Sequence, residues 1–279
     1  MRILSLLPAA TEMVYSLGLE KYLVEDPKIT SSPISNAMTS LEIDMAVKKL
    51  GHRGNGVFHI DQQKLKQLKP DLILTQELCE VCAVSFNQVK KSARILDSNV
   101  KIISLEPESV EDILENILLI GETTGSRQQA RKVIKNLKNR LKIIDLRLKN
   151  LKNKPKVLVI EWLDPLMVAG HWVPQMVEMA GGEMLITKRG EKSRRINQAQ
   201  LKINPDIVII APCGFDIKRT IKEKHLIRKN FSKVYLMDGD SYLTRPGPRI
   251  VDGIEILSEI LYPEIFSRKH SKVDWVPFK

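Results

Sequence analysis

Apolar positions along this chain fall into short runs separated by longer amphipathic stretches. Arg2–Leu7, Asp71–Thr75 and Val100–Leu105 in the first half, and Val157–Glu161, Asp206–Ile210 and Lys233–Met237 in the second, read as buried strands. Helices are predicted between them. Pro8 opens one that closes at Gly18, with proline in the first turn and Glu12 close behind. Leu41–Lys49, Asp61–Leu68, Phe86–Leu96 and Ser109–Gly121 follow. In the second half, Gly170-His171-Trp172-Val173-Pro174 opens a helix ending at Gly181-Gly182, and Val251–Leu261 forms another. Glu25–Ser40, Gly51–Gly56, Gln76–Ser85 and Asp238–Arg249 read as loops and turns, and Glu183–Arg195 as a polar, basic stretch. Strands alternating with helices predict mainly parallel sheets, whose ligands sit beyond the carboxyl ends of the strands.

The pattern occurs twice. Lys69-Pro70-Asp71 runs into Leu72-Ile73-Leu74, and 135 residues later Asn204-Pro205-Asp206 runs into Ile207-Val208-Ile209-Ile210. Each copy is preceded by a strand and a helix closing on glycine, and followed by another strand and an amphipathic helix. Two α/β units are therefore expected, an amino-terminal lobe over 1–125 and a carboxyl-terminal lobe over 155–279. A connecting helix over 126–154 joins them. Function is expected in a cleft between them.

Charge changes this picture in one place. The chain of 279 residues carries a formal net charge of +11. Between Arg127 and Lys156 there are twelve Lys and Arg against the single acid Asp145, so this segment holds the whole excess. Leu137, Leu141, Ile144, Leu148 and Leu151 are spaced four, three, four and three apart, the seam of a one-sided helix. The basic faces are a solvated surface or, alternatively, a surface for nucleic acid or an anionic membrane. No RNA-binding aromatic motif or zinc-finger spacing favours nucleic acid, so none is expected as a partner. No run approaches the ~20 apolar residues of a membrane span. The odd count of three cysteines does not form a disulfide framework. With Arg2–Leu7 read as a core strand rather than a signal peptide, a cytoplasmic location is expected, with an extracytoplasmic one as the alternative.

Several strings are similar to the cobalamin (vitamin B12) substrate-binding proteins of ABC importers, in the branch that often lacks an export signal. They are Ser5-Leu6-Leu7-Pro8-Ala9-Ala10-Thr11-Glu12, Lys69-Pro70-Asp71-Leu72-Ile73-Leu74-Thr75-Gln76 and Leu78-Cys79-Glu80-Val81-Cys82-Ala83-Val84-Ser85. Others are Glu161-Trp162-Leu163-Asp164-Pro165, Ala169-Gly170-His171-Trp172-Val173-Pro174, Ala211-Pro212-Cys213-Gly214-Phe215 and Arg245-Pro246-Gly247-Pro248-Arg249. The resemblance implies a class III substrate-binding fold, with two Rossmann-like lobes joined by one long backbone helix. It further implies a non-enzymatic protein that needs no cofactor, carries a corrinoid as ligand and serves a membrane permease. That branch typically has a His-Glu-Cys-Asp-Tyr-Pro-like segment after its first helix. Here Leu23-Val24 passes directly to Glu25-Asp26-Pro27-Lys28, so a strand and a ligand loop are expected to be shortened.

The candidate ligand contacts all lie at predicted strand ends. They are Pro8, Ala9, Thr11, Leu78, Cys79, Glu80, Trp162, Gly170, His171, Trp172, Cys213, Gly214, Phe215, Tyr242, Arg245, Pro246 and Arg249. A large flat ligand needs flat apolar walls, which Trp162, Trp172, Phe215 and Tyr242 would supply unless they close the lobe's own core. Arg245 and Arg249 flank a stiff Pro-Gly-Pro turn and reach a phosphate or amide group, or pair with Asp238 or Asp240. His171 is a ligand donor, a metal ligand or a hydrogen-bonded structural residue. Cys79, Cys82, Cys213 and His171 form a candidate zinc or cobalt set, with ordinary reduced thiols or a redox pair as alternatives. A metal- or corrinoid-handling sensor in the cytoplasm is the second functional reading. An enzyme using Glu161 and His171 is a third, without a nucleophile or phosphate loop to accompany it. Trp275 reads as an anchor for the carboxyl terminus.

Overall fold

A computed structural model describes residues 1–25, 29–35, 37–51, 57–76, 86–93, 96, 99–197, 203–227 and 231–278. The chain divides into two compact units, Met1–Pro107 with Leu114–Val133, and Glu108–Ile113 with Ile134–Lys279.

The first unit is built from β1 (Ile3–Ser5), α1 (Pro8–Ser16), β2 (Thr30–Ser31), α2 (Ser40–Gly51), β3 (His59–Ile60), α3 (Gln62–Leu68), β4 (Leu72–Thr75), α4 (Phe86–Ala93) and β5 (Lys101–Ser104). Most of α5 (Val110–Thr123) and the start of α6 (Arg127–Leu148) complete it. Its sheet has the order β1-β4-β5, all parallel. All four residues of β4 are buried, as the continuous apolar run required. Leu4, Ile73, Leu65, Val89 and Ile29 form the core beside it. Helix starts are chemically fixed. Asp61 accepts hydrogen bonds from the amides of Gln63 and Lys64 at 3.0 and 3.1 Å. At α2, Thr39 and Glu42 form a reciprocal capping box, the Thr39 amide donating to the Glu42 carboxylate at 2.7 Å. Within the expected loop 25–40 the structure places β2, which pairs antiparallel with β3. Two-residue strands carry no readable period.

The second unit takes the rest of α6, then β6 (Lys156–Trp162), β7 (Met167–Val168), α7 (Val173–Met179), β8 (Glu183–Met184), β9 (Arg194–Arg195), β10 (Ile207–Ile210), α8 (Ile217–Lys222), β11 (Val234–Met237), α9 (Ile250–Leu261) and β12 (Trp275–Phe278). The sheet order is β12-β11-β10-β6-β7-β9, with β8 on β6. The centre β11-β10-β6 is parallel; β12 pairs antiparallel with β11 at one edge, and at the other β7 pairs antiparallel with β6 and β9 antiparallel with β7. The seam of α6 has Leu137 and Ile144 buried and Leu141 and Leu148 half-buried, as the spacing predicted, but the helix ends at Leu148 rather than 154, so the half-buried Leu151 lies beyond it.

The repeated Pro-Asp motif does the same job in both units. Asp71 accepts a hydrogen bond from the Arg2 amide at 2.7 Å and returns its own amide to the Arg2 carbonyl at 2.8 Å. Asp206 does this with Lys156, at the same two distances. Each motif thus ties the start of a central strand to the start of its parallel neighbour. Parallel strands lack a hairpin to set their register, so a side-chain clamp at the first residue supplies it.

Candidate functional site

The carboxyl ends of β6, β10 and β11 lie side by side in the second unit, and their loops are bonded into one rim. The Cys213 amide donates to the Glu161 carbonyl at 3.0 Å, joining the β10 and β6 ends. The amides of Gly239 and Asp240 donate to the Phe215 carbonyl at 3.1 and 3.3 Å, joining β11 to β10. Gly239 is needed at this junction. A Cβ there would strike the carbonyl oxygens of Pro212 and Ala211, which are backbone and cannot swing away.

Onto this frame the sequence places its aromatics. The Trp162 and Phe215 rings meet at 5.3 Å, tilted by 49°. Phe215 is buried, and Arg219 stacks on it at 4.0 Å. Trp162 is half-buried, its indole N–H donating to the Asp164 carbonyl at 3.0 Å. Trp172 is buried, and its N–H donates to the Leu243 carbonyl at 2.8 Å, tying the start of α7 to the loop after β11. Phe215 and Trp172 therefore close the unit's own interior and stiffen the rim from behind. Trp162 and Tyr242 keep part of their rings accessible.

His171 sits at the corner before α7 with φ +55, a left-handed conformation that few non-glycine residues hold. Its amide donates to the Glu191 carbonyl at 2.6 Å and its carbonyl accepts from the Gly190 amide at 2.9 Å, so one loop grips it from both sides. Gly170 beside it has no room for a side chain against Glu191 and Ser193 backbone. The imidazole is half-buried, and burial pushes its pKa down, with Glu108 opposing and Lys192 adding to the shift. The neutral ring has a nitrogen lone pair to offer.

After β11, Asp238 accepts from the Ser241 amide at 2.8 Å and opens a tight turn over Gly239–Leu243. Burial pushes its carboxyl up, against the Ser241 hydrogen bonds. Arg245 pairs with Asp240 at 2.6 Å, the ion-pair alternative raised for it, while Arg249 stacks on the Tyr242 ring at 5.5 Å. The Tyr242 hydroxyl donates to Asp274 at 2.8 Å, and burial together with that carboxylate pushes its pKa up to about 12. Pro246 is buried; Cys213 is half-buried and Gly214 is exposed with φ +72.

In the first unit the corresponding rim is smaller. Pro8 is exposed, Ala9 is buried, and Thr11 is half-buried with its hydroxyl 2.9 Å from that of Ser5. Leu78, Cys79, Glu80 and Cys82 lie outside the described residues, as do the expected turn 52–56 and most of the loop 76–85. Of the proposed thiol-imidazole set, only Cys213 and His171 are described. Among the described residues, three metal-capable side chains converge elsewhere, at Asp252, Glu255 and His270. Arg140 already engages both of those carboxylates, its guanidinium reaching Glu255 at 2.8 and 3.0 Å and also bonding Asp252.

Sequence reading missed the support of α7. Gln175, buried in that helix, accepts from the Val110 amide at 2.8 Å and donates to the Glu111 carboxylate at 2.7 Å; Arg189 reaches the same carboxylate at 2.7 Å. A glutamine inside an otherwise apolar helical turn was the available signal.

A mostly parallel α/β sheet, strand-end loops fixed to one another and a long helix define a class III solute-binding fold. The model of the periplasmic binding protein family matches residues 3–230, and the chain belongs to that family. An uncharacterised ABC transporter substrate-binding lipoprotein of Bacillus subtilis is 27% identical over 274 residues, covering 95% of this chain and 81% of that protein. A vitamin B12-binding protein of Vibrio cholerae is 22% identical over 264 residues, covering 91% of this chain and 86% of its own. A periplasmic heme-binding protein from Pseudomonas aeruginosa has the same fold, with TM-score 0.69 at 19% identity over 100% of this chain and 98% of its own. The protein is thus a non-enzymatic solute-binding component of an ABC import system, carrying a ligand and requiring no cofactor. The enzyme reading is set aside on that ground. The expected cytoplasmic location finds no support, because the family is periplasmic and a relative is a lipoprotein; the sensor reading tied to that location goes with it. Among the described residues no helix is long and apolar enough to cross a membrane.

Proposed function

We propose that the protein is extracytoplasmic and captures a corrinoid for import, holding it at the strand-end rim of its second unit. The observation that carries this reading is the rim itself. Three strand-end loops are hydrogen-bonded together, two of them carry the half-buried Trp162 and Tyr242, and the corner before α7 adds the half-buried His171. A rigid rim suits a large, rigid macrocycle, since affinity then costs little ordering of the protein. The B12-binding relative from Vibrio cholerae supports the choice of ligand.

The half-buried imidazole of His171, whose pKa is pushed down and whose backbone is clamped by one loop, favours heme as a second reading, because a neutral nitrogen donor suits an iron with an open axial position. Heme-binding proteins share the fold. Calorimetry with cobalamin, cobinamide and hemin separates the two. Saturable binding of a corrinoid, with hemin much weaker, supports the first reading. Failure of both corrinoids, with a hemin absorption shift lost in His171→Ala, replaces it with the second. Because burial lowers the His171 pKa below its ordinary 6.5, the donor stays neutral as pH falls through that value and is lost only lower. A hemin affinity that collapses above pH 6.5, or one unchanged by His171→Ala, excludes the imidazole as donor.

A further inference from the structure

The outer face of α6 is used by neither the fold nor the rim. Lys135, Lys142 and Lys149 recur every seven residues and, with Lys138 between the first two, form an exposed stripe on the side opposite the buried Leu137 and Ile144. Within α6 the rise of 1.5 Å per residue separates Lys135 from Lys142 by about 10 Å, and Lys149 follows in the turn just past the helix end at Leu148. Among the described residues no acidic side chain makes an ion pair with any of these four lysines. Arg140, by contrast, turns inward to Asp252 and Glu255. Lys135, Lys138 and Lys142 are like charges three and four residues apart and repel, while the exposed Asp145 lies three residues after Lys142 and four before Lys149 and offsets part of the charge at that end.

Two large apolar side chains share this outer surface. Leu146 is 57% exposed and lies four residues after Lys142 and three before Lys149, and Ile143 is 51% exposed next to it. No aromatic side chain lies among these positions for a base to stack on. Lysines interleaved with exposed aliphatic groups match a surface that is both anionic and apolar just below, as a lipid headgroup layer is.

We infer that this face of α6 docks the protein on an anionic lipid surface. The lysines meet the headgroups, and Leu146 and Ile143 enter the layer beneath them. The choice of lipid rests on the extracytoplasmic reading above, which a relative named as a lipoprotein supports. Such contact raises the local concentration of carrier near a membrane importer without engaging the rim.

Flotation of the full chain with vesicles tests this. Vesicles of phosphatidylcholine alone are compared with mixed phosphatidylcholine–phosphatidylglycerol vesicles, at low and at physiological salt. Expected is binding to the anionic vesicles only, weakened by salt. The K135E/K138E/K142E/K149E variant loses it at least tenfold, and I143S/L146S loses it several-fold at unchanged charge. Circular dichroism and urea unfolding verify that both variants are folded. Equal flotation with both vesicle types, no flotation of the native chain at low salt, or tighter binding to a DNA duplex than to anionic vesicles at equal phosphate overturns the inference. Cobalamin titration of the same samples reports on the rim separately, so loss of the corrinoid reading leaves the vesicle result standing.

Discussion

The two units share a clamp and differ in what surrounds it. In both, a Pro-Asp pair ties the start of a central parallel strand to its neighbour through the same two hydrogen bonds. Among the described residues the first unit's parallel sheet has three strands, β1, β4 and β5, with β2 and β3 as a separate antiparallel pair. The second extends its sheet with further strands, and one buried carboxylate locks β12 to α9. Glu259 accepts from the Trp275 indole at 3.0 Å, the Lys269 amide at 2.8 Å and the His270 ring at 2.9 Å. The repeated core sets register and its strand ends carry the rim, while the unrepeated edges flank it in the second unit.

The largest expected effect breaks the second unit's edge. Glu259→Ala orphans the buried Trp275 indole and removes the acceptor of two part-buried donors, and is expected to cost about 2–3 kcal/mol in urea unfolding, with Glu259→Gln recovering part. A cost near zero would mean that β12 is held by sheet pairing alone.

Next comes the junction between the β10 and β11 ends. Gly239→Ala forces two backbone segments apart and is expected to cost about 2 kcal/mol while weakening ligand affinity. Gly18→Ala in the first unit meets no atom within 4 Å, but its φ of +69 is strained for alanine. It is expected to cost about 1 kcal/mol and to leave affinity unchanged. If both variants bind ligand alike, the rim is not where affinity resides.

Arg140→Met is smaller because its partners are partly exposed, and about 1–2 kcal/mol is expected. The effect has a pH signature. Burial pushes the Glu255 carboxyl up, but the Arg140 hydrogen bonds and charge outweigh it and the net shift is downward from 4.5. A carboxylate lowered by folding stabilises the native state above 4.5 and loses that contribution as pH falls through its native value. Thermal melts should show the wild-type advantage over Arg140→Met shrinking in that acid window. An advantage independent of pH would assign it to packing instead.

The smallest effect sharpens the comparison most. Asp71→Asn and Asp206→Asn each weaken one exposed clamp, at about 0.5–1 kcal/mol. Equal costs within a few tenths establish the clamps as equivalent; a clear inequality shows that one unit relies on it more.

The central strands and most helices were legible because their apolar runs are long enough to carry a period. The edges were not. β7, β8 and β9 have two residues each, and β12 reads as a tail until Trp275 is seen against Tyr235 at 5.8 Å. The rim was legible as a set of odd residues at strand ends, but their division of labour was not. Trp162 and Trp172 look alike as neighbours of strand ends, yet Trp172 is buried with its N–H given to Leu243, and Trp162 stays half-exposed.

By itself the sequence determined the duplicated α/β plan and the one-sided long helix, because burial imposes periods of 2 and 3.6 that survive in one dimension. Only the tertiary structure decided which strand-end residues face outward. That choice depends on partners such as Leu243 and Glu191, dozens or about twenty residues away, whose pairing no local pattern encodes.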